Sequence, residues 1–226
     1  VALGGVAGVV WWGPPAPLQQ VDQARSGVLA VLRHPALLRL DFGVFVLHAV
    51  QLAMWVALPA MLVQAGLARD QHWQVYLPAV LASFFVMGAT LFPLEKKGYL
   101  RAVFLSAIGL IAVVQVALWL LTQAGPSVWA MGLVLFVFFC GFNVLEASQP
   151  SLASKAAPAS ARGAALGVYN TLQSLGFFAG GALGGWLVKS AGAQALFVAS
   201  GGAMVAWLLV AWRMEAPAAK PAAKAG

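Results

Sequence analysis

Length, composition and charge together exclude a water-soluble protein. Of the 226 residues, 62% are hydrophobic and 8% carry a formal charge, whereas soluble domains carry charge on about a quarter of their residues. The net charge is +7 and the mean hydropathy is +0.88, so a soluble enzyme and a free nucleic-acid-binding module are both excluded. The single cysteine, Cys140, excludes a disulfide framework and predicts a packing role.

The chain begins with a short apolar stretch and a polar connector. Residues 1–13, VALGGVAGVVWWG, are too few to cross a bilayer alone. We expect them to be the end of a preceding transmembrane helix, with Trp11 and Trp12 at the interface. Residues 14–38 predict a cytoplasmic connector that holds at most one surface helix.

Charged residues divide the next part of the chain into apolar blocks. Blocks without Asp, Glu, Lys or Arg hold 27, 24, 44, 26 and 23 residues, and a helix needs about 20 to cross a core of roughly 30 Å. The longest block contains the turn sequence TQAGPS at 122–127, which divides it into two spans. The sequence therefore predicts an all-α, polytopic membrane bundle over 39–213. Its six spans are 41–66, 72–94, 100–122, 128–150, 163–188 and 193–213.

Cations predict how these spans are oriented. Eleven of the thirteen Lys and Arg residues fall in segments that the six spans place on one face, while Arg69 and Lys189 fall on the other. The positive-inside rule then predicts that both ends of the chain are cytoplasmic. Residues 214–226, rich in Ala, Pro and Lys, predict a disordered cytoplasmic tail. The basic charge reports topology and attraction for lipid headgroups, and we expect no nucleic-acid partner.

Three local sequences resemble motifs of the major facilitator superfamily. The segment EKKGYLR at 95–101 resembles the second-half copy of the family's loop motif, in which an acid and a base precede a glycine and further cations. The segments FNVLEASQPSL at 142–152 and RGAALGVYN at 162–170 resemble bacterial members of its drug/proton antiporter branch.

This resemblance implies that the six spans are one half of a twelve-helix fold. The expected partners are the lipid bilayer, protons, a small-molecule substrate and the N-terminal six-helix half. The implied activity is alternating-access, proton-coupled efflux of amphipathic compounds across a bacterial inner membrane. A proton-independent nutrient or sugar facilitator is the alternative, as is a non-transporting receptor or scaffold on the same helices.

Two ionisable residues stand inside the predicted spans. His48 lies nine residues after Arg39, and Glu146 lies nine residues before Lys155, which places both about 13 Å from the same face. A charge in hydrocarbon is costly, so such a group must pair, face water or bind a proton. We expect proton coupling by both residues. The alternatives are a neutral histidine bonded to a neighbouring helix, and a glutamate that bonds backbone donors or braces the two halves. Pro150 either bends the fourth span or ends it early.

Polar and aromatic side chains recur at helical spacing on three spans. A cavity for an amphipathic ligand is mainly apolar and aromatic with a few polar groups, which these faces provide. Interhelical hydrogen bonds and packing against lipid are the alternative for each residue. The candidate substrate-binding residues are Gln51, Trp55, Asn143, Tyr169, Asn170, Gln173 and Phe177.

A glycine repeat and a set of charged residues predict roles in packing and gating. Gly176, Gly180 and Gly184 recur every four residues, which favours close helix packing at the interface with the N-terminal half. A sliding contact that permits rocking is the functional alternative. The gating candidates are Asp41, Glu95, Lys96, Lys97 and Arg101.

Each gating candidate also has a simpler interpretation. For Asp41 it is a favourable electrostatic interaction between its carboxylate and the helix dipole at the start of the first span. For the cluster that begins at Glu95 it is an exposed group of charges that only sets topology. Metal-ligand spacing, a phosphate loop and a nucleophile motif are all missing from the sequence, so we expect no metal, no cofactor and no enzymatic activity.

Overall fold

The computed structural model describes residues 21–214, whose long elements are all helices. Predictions for residues 1–13, for 14–20 of the connector and for 215–226 of the tail lie outside the described residues. The helices are α1 Val21–Leu32, α2 Pro35–Gln64, α3 Trp73–Lys96, α4 Leu100–Ala124, α5 Val128–Ala156 and α6 Arg162–Trp212, with short 3₁₀ turns at Arg69–Gln71 and Ala159–Ala161. The all-α prediction is confirmed, and every helix from α2 to α6 is long and apolar enough to cross a membrane.

Helix α6 is divided into two arms at a glycine. At Gly192 the backbone has φ 80° and ψ 171°, a conformation that glycine adopts without steric cost. The break gives a first arm, 162–191, and a second arm, 193–212. The carbonyls of Trp212 and Arg213 accept hydrogen bonds from Arg101 and Arg39, which lie near the starts of α4 and α2. The second arm therefore ends where α2 and α4 begin.

Two boundaries differ from the sequence prediction. Helix α2 begins at Pro35, inside the predicted connector, because proline suits the first helical turn. Asp41 consequently lies in the second turn and is buried, and the first turn holds no acidic residue. The interpretation of Asp41 as a carboxylate that meets the helix dipole is therefore wrong. Helix α5 continues through Pro150 to Ala156, so this proline does not end the fourth span.

Most of the cations gather at one end of the bundle, which we call the basic end. It carries Arg39, Lys96, Lys97, Arg101, Lys155, Arg162 and Arg213. Lys155 Nζ lies 3.2 Å from Glu95 Oε1 and joins α5 to α3 there. The Arg101 guanidinium donates to the Trp212 carbonyl over 2.6 Å and lies 6.0 Å from the centre of the Trp212 ring. These contacts tie the ends of four helices together.

The glycine repeat lies against α2 of the same chain. A Cβ atom on Gly180 would collide with the carbonyl of Ala49, and one on Gly184 would lie 2.9 Å from the Cα of Ala53. The third glycine, Gly176, makes the same kind of approach to α2. The expectation that these glycines face the N-terminal half is therefore wrong, because the fifth span meets the first span of its own half. Close backbone approach of this kind replaces the hydrophobic drive that membrane helices lack.

The second arm of α6 closes the bundle on its other side. Trp207 is fully buried, and its indole fills the space that a side chain at Gly43 would occupy. The ring centre of Trp207 lies 6.1 Å from that of Phe104 on α4. Trp207 therefore joins the second arm of α6 to both α2 and α4.

Candidate functional site

Three helices bring three polar side chains into mutual contact. His48 Nε2 on α2 lies 3.0 Å from Glu146 Oε2 on α5. Gln173 on α6 places its amide nitrogen 2.8 Å from the same histidine nitrogen and 3.2 Å from Glu146 Oε1. We call His48, Glu146 and Gln173 the polar triad. The sequence placed His48 and Glu146 at similar depth, and the structure puts them in direct contact.

The other nitrogen of His48 fixes its tautomer. Nδ1 lies 2.8 Å from the carbonyl oxygen of Val44, one turn earlier on the same helix. A carbonyl can only accept, so Nδ1 carries a proton. The second proton of the ring, when present, must therefore sit on Nε2, the atom that faces Glu146. Any change in the charge of His48 occurs at the contact with the carboxylate.

A hydrogen bond between His48 and Glu146 requires a proton on one of the two facing atoms. Without it, the lone pairs of Nε2 and Oε2 would face each other over 3.0 Å, and the contact is a hydrogen bond only when a proton lies between these atoms. With one proton the pair is neutral overall; without that proton it carries a net negative charge. A charge in a low-dielectric site is costly.

The polar triad has one closed side and one open side. His48 is buried at 1% exposure, whereas the Glu146 side chain is 38% exposed. The rings of Phe142 and Phe177 stand edge-on to the imidazole, with centres 5.9 and 4.7 Å away. The carboxyl group thus remains accessible, while helices and aromatic rings shield the histidine.

The predicted substrate-binding residues fall into two groups. Gln51, Trp55 and Asn143 are half-buried along α2 and α5, and Phe177 and Asn170 are exposed on the first arm of α6. The Trp55 ring packs against Phe138 and Phe139. Tyr169, in contrast, is buried at 2% exposure. We call the side of the bundle on which the Glu146 carboxyl group is exposed the open face. It has aromatic walls and carries separate polar groups, but Tyr169 does not belong to it.

The candidate gating residues are also placed differently from one another. Glu95 pairs with Lys155, and Arg101 holds the end of α6. Lys96 and Lys97 are exposed at the same end. Asp41 lies deeper in α2, and its Oδ2 atom has no hydrogen-bond partner among the described residues.

Sequence reasoning missed three polar residues, two in contacts between helices and one buried on α5. Ser83 on α3 accepts a 2.8 Å hydrogen bond from Asn143, and Lys155 supplies the partner of Glu95. Gln149 is fully buried on α5. Its spacing of three residues from Glu146 could have revealed it, because that spacing places both on one helix face. Nothing in the sequence identifies the two cross-helix pairs, since the residues of each pair are distant along the chain.

Comparisons with known proteins agree with this architecture. The family model described as Major Facilitator Superfamily matches residues 1–181 and, in a second match, residues 95–226. The chain is 38% identical over 224 residues to the "Inner membrane transport protein YajR" of Escherichia coli strain K12, a match that covers 96% of this chain and 48% of that protein. It is 29% identical over 153 residues to the "Uncharacterized transporter BU466" of Buchnera aphidicola, covering 68% of this chain and 38% of that protein.

The chain therefore spans less than half the length of either relative. The family model covers the full length of the chain, and the helices have the length and hydropathy of membrane spans. The chain belongs to the major facilitator superfamily of membrane transporters.

Proposed function

We propose that this chain forms the six-helix half of a proton-coupled transporter that exports amphipathic small molecules by alternating access. The basic end faces the cytoplasm, as the placement of Lys and Arg favours, and the membrane is an inner membrane, as the name of the Escherichia coli relative suggests. The observation that carries the proposal is the 3.0 Å contact between His48 and Glu146 within the bundle.

The polar triad supplies the coupling element. The shared proton keeps the pair neutral, and its release leaves one negative charge on a carboxyl group that reaches the open face. A cationic substrate near that face can balance this charge in place of the proton. Proton and substrate then compete for one site, which is the condition for exchange of one for the other.

Proton binding by the His48–Glu146 pair can supply enough free energy to shift the populations of the two cavity-facing states. If the affinity of the pair for its proton differs between the two cavity-facing states by one pKa unit, the states differ by about 1.4 kcal/mol, or tenfold in population. Gln173 contributes by holding both partners, since its amide group contacts the histidine and the carboxylate at once. A movement of α6 relative to α2 and α5 would therefore alter the contact directly.

The open face favours an amphipathic substrate. Trp55 and Phe177 offer apolar ring surface, while Gln51 and Asn143 offer separated hydrogen-bonding groups. Sites for drug-like ligands combine these same features. A sugar site needs many polar groups along one wall, whereas the rings of Trp55 and Phe177 make much of this face apolar.

Transport by the full-length protein tests this proposal. The protein is reconstituted in vesicles that enclose DNA, and ethidium is the probe because its fluorescence reports its entry. An imposed proton gradient should drive ethidium into vesicles against its own gradient, and a protonophore should stop this movement; protein-free vesicles are the blank. Downhill movement that a protonophore leaves unchanged would favour the facilitator and contradict proton coupling. The absence of any ethidium movement would contradict export of amphipathic cations.

A further inference from the structure

A second set of buried polar residues lies on the same three helices as the polar triad. Asp41 on α2, Gln149 on α5 and Tyr169 on α6 have exposures of 3%, 0% and 2%. We call these three residues the second polar layer. None of them contributes a hydrogen bond to the polar triad, so the coupling element described above does not account for them.

Four polar atoms of this layer have no partner within the described part of the chain. Asp41 Oδ2, the Tyr169 hydroxyl and both amide atoms of Gln149 make no hydrogen bond to the described residues. A buried polar group without a hydrogen bond is costly. These four unpaired atoms are best explained by water molecules that bridge them, since buried water normally serves such groups.

Helical spacing places the second polar layer between the polar triad and the basic end. Asp41 lies seven residues, or about 10 Å, before His48 on α2, which runs away from the basic end. Tyr169 lies four residues before Gln173, on the first arm of α6, which runs the same way. Gln149 lies three residues after Glu146 on α5, which runs toward the basic end. All three are thus displaced in one direction.

Tyr169 lies on the arm of α6 that packs closely against α2, the helix that carries Asp41. Gly176, seven residues after Tyr169, approaches the backbone of Phe45, four residues after Asp41, so the two buried side chains start within about one helical turn of each other along the bundle. The remaining ionisable group on these faces is His48, whose Nε2 already faces Glu146. Arg39, the nearest cation along α2, points to the carbonyl of Arg213 at the basic end.

A cavity continues the path toward the basic end. It has a volume of about 300 Å³ and is lined by His34, Arg39, Leu40, Leu152, Ala156 and Met214. Leu152 lies one turn beyond Gln149 on α5, and Leu40 adjoins Asp41 on α2. The cavity therefore reaches within about one helical turn of Asp41 and Gln149.

We propose that Asp41, Gln149 and Tyr169, together with bridging water, form a proton relay between the basic end and the His48–Glu146 pair. A proton that leaves the carboxyl group of Glu146 passes through water to the Tyr169 oxygen, and the hydroxyl proton of Tyr169 passes to the Asp41 carboxylate. The phenol thus keeps its number of protons, Glu146 becomes ionised, and Asp41 becomes neutral until it releases the proton to solvent. Gln149 orients the water. The proposal deepens the proposed function and rests on it.

Protonation kinetics of the full-length protein test the relay. The protein is inserted in vesicles with its basic end outward, and the pH of the medium is lowered rapidly. Time-resolved infrared absorption follows the protonated carboxyl group of Glu146, which Glu146→Gln identifies by removing the signal. Tyr169→Phe keeps the ring and its packing, and should slow the appearance of the signal by about tenfold or more while leaving its final size unchanged. Asp41→Asn should have the same effect.

A matched control separates the relay from general disturbance of the bundle. Tyr76→Phe removes another phenol whose oxygen is buried and unpartnered among the described residues, but which lies one turn into α3, away from the basic end. It should leave the rate unchanged. Protonation of Glu146 at the wild-type rate in Tyr169→Phe would overturn the relay while leaving the proposed function intact. A Glu146 signal that does not respond to pH in the wild-type protein would overturn both.

Discussion

His48 Nε2 lies 3.0 Å from Glu146 Oε2, across two helices that are remote from each other in the sequence. Because Val44 holds the proton on Nδ1, the two facing atoms share whatever proton the pair retains. The contact thus joins two ionisable groups from different helices. Because isolated charges inside a membrane are costly, this pair is the candidate for the coupling role proposed above.

Close packing of α6 on α2 should make Gly180 intolerant of a side chain. In Gly180→Ala the new methyl group meets the carbonyl of Ala49, and overpacking of this kind costs about 1–3 kcal/mol. Thermal unfolding of the purified full-length protein should begin at a lower temperature. Gly185→Ala is the matched control, because nothing lies within 4 Å of its Cβ position. Equal effects of the two substitutions would show that α6 does not pack on α2 as described.

The ion pair of Glu95 and Lys155 should affect the distance between the ends of α3 and α5 more than it affects the thermal stability of the protein. Both side chains are well exposed, at 38% and 49%, and exposed pairs contribute about 0–1 kcal/mol. We predict that Glu95→Lys and Lys155→Glu each increase the distance between spin labels at the basic ends of α3 and α5, with little change in thermal stability.

Combining the two substitutions restores an ion pair of reversed polarity, so the double variant should recover the wild-type distance. Lys189→Gln, which removes a cation at the opposite end, should leave the distance unchanged. Because both partners belong to this half, the contact holds α3 to α5 rather than one half to the other. Additive effects in the double variant would contradict a direct interaction.

The last turn of α6 should depend on Arg101. Its guanidinium donates to the Trp212 carbonyl, and a cation at a helix C-terminus contributes about 0.3–1 kcal/mol. Arg101→Gln should therefore accelerate amide hydrogen exchange in residues 208–212 about two- to fivefold. Exchange in the middle of α2 should not change. Unaltered exchange in the last turn would show that the contact does not hold the helix end.

Sequence patterns were sufficient for the architecture because membrane spans depend on length and hydropathy. The turn predicted at 122–127 lies where α4 gives way to α5, with Gly125 at positive φ after the last residue of α4. Spacing also placed His48 and Glu146 at similar depth. These features follow from periodicity and from charges along one chain.

Contacts between helices were less accessible to sequence reasoning. The glycine repeat indicated close packing, but not that α2 of the same half is its partner. The sequence predicts one face for Tyr169, Asn170, Gln173 and Phe177, yet Tyr169 is buried. Residues at helical spacing on one face need not share an environment. The start of α2 at Pro35 was missed because the connector's basic residues continue into the helix. Rotation and pairing of helices depend on side-chain fit in three dimensions, which no single stripe encodes.

Proton-driven uptake of ethidium by vesicles that contain the full-length Glu146→Gln variant is the most direct test of the central claim. The account predicts that this variant loses accumulation driven by a proton gradient and also exchanges ethidium more slowly at equal concentrations, because the carboxylate that carries the proton is the group that balances the charge of the cation. The double variant His48→Gln with Glu146→Gln should behave in the same way. Proton-driven accumulation at the wild-type level in the double variant would contradict the assignment of His48 and Glu146 as the coupling pair.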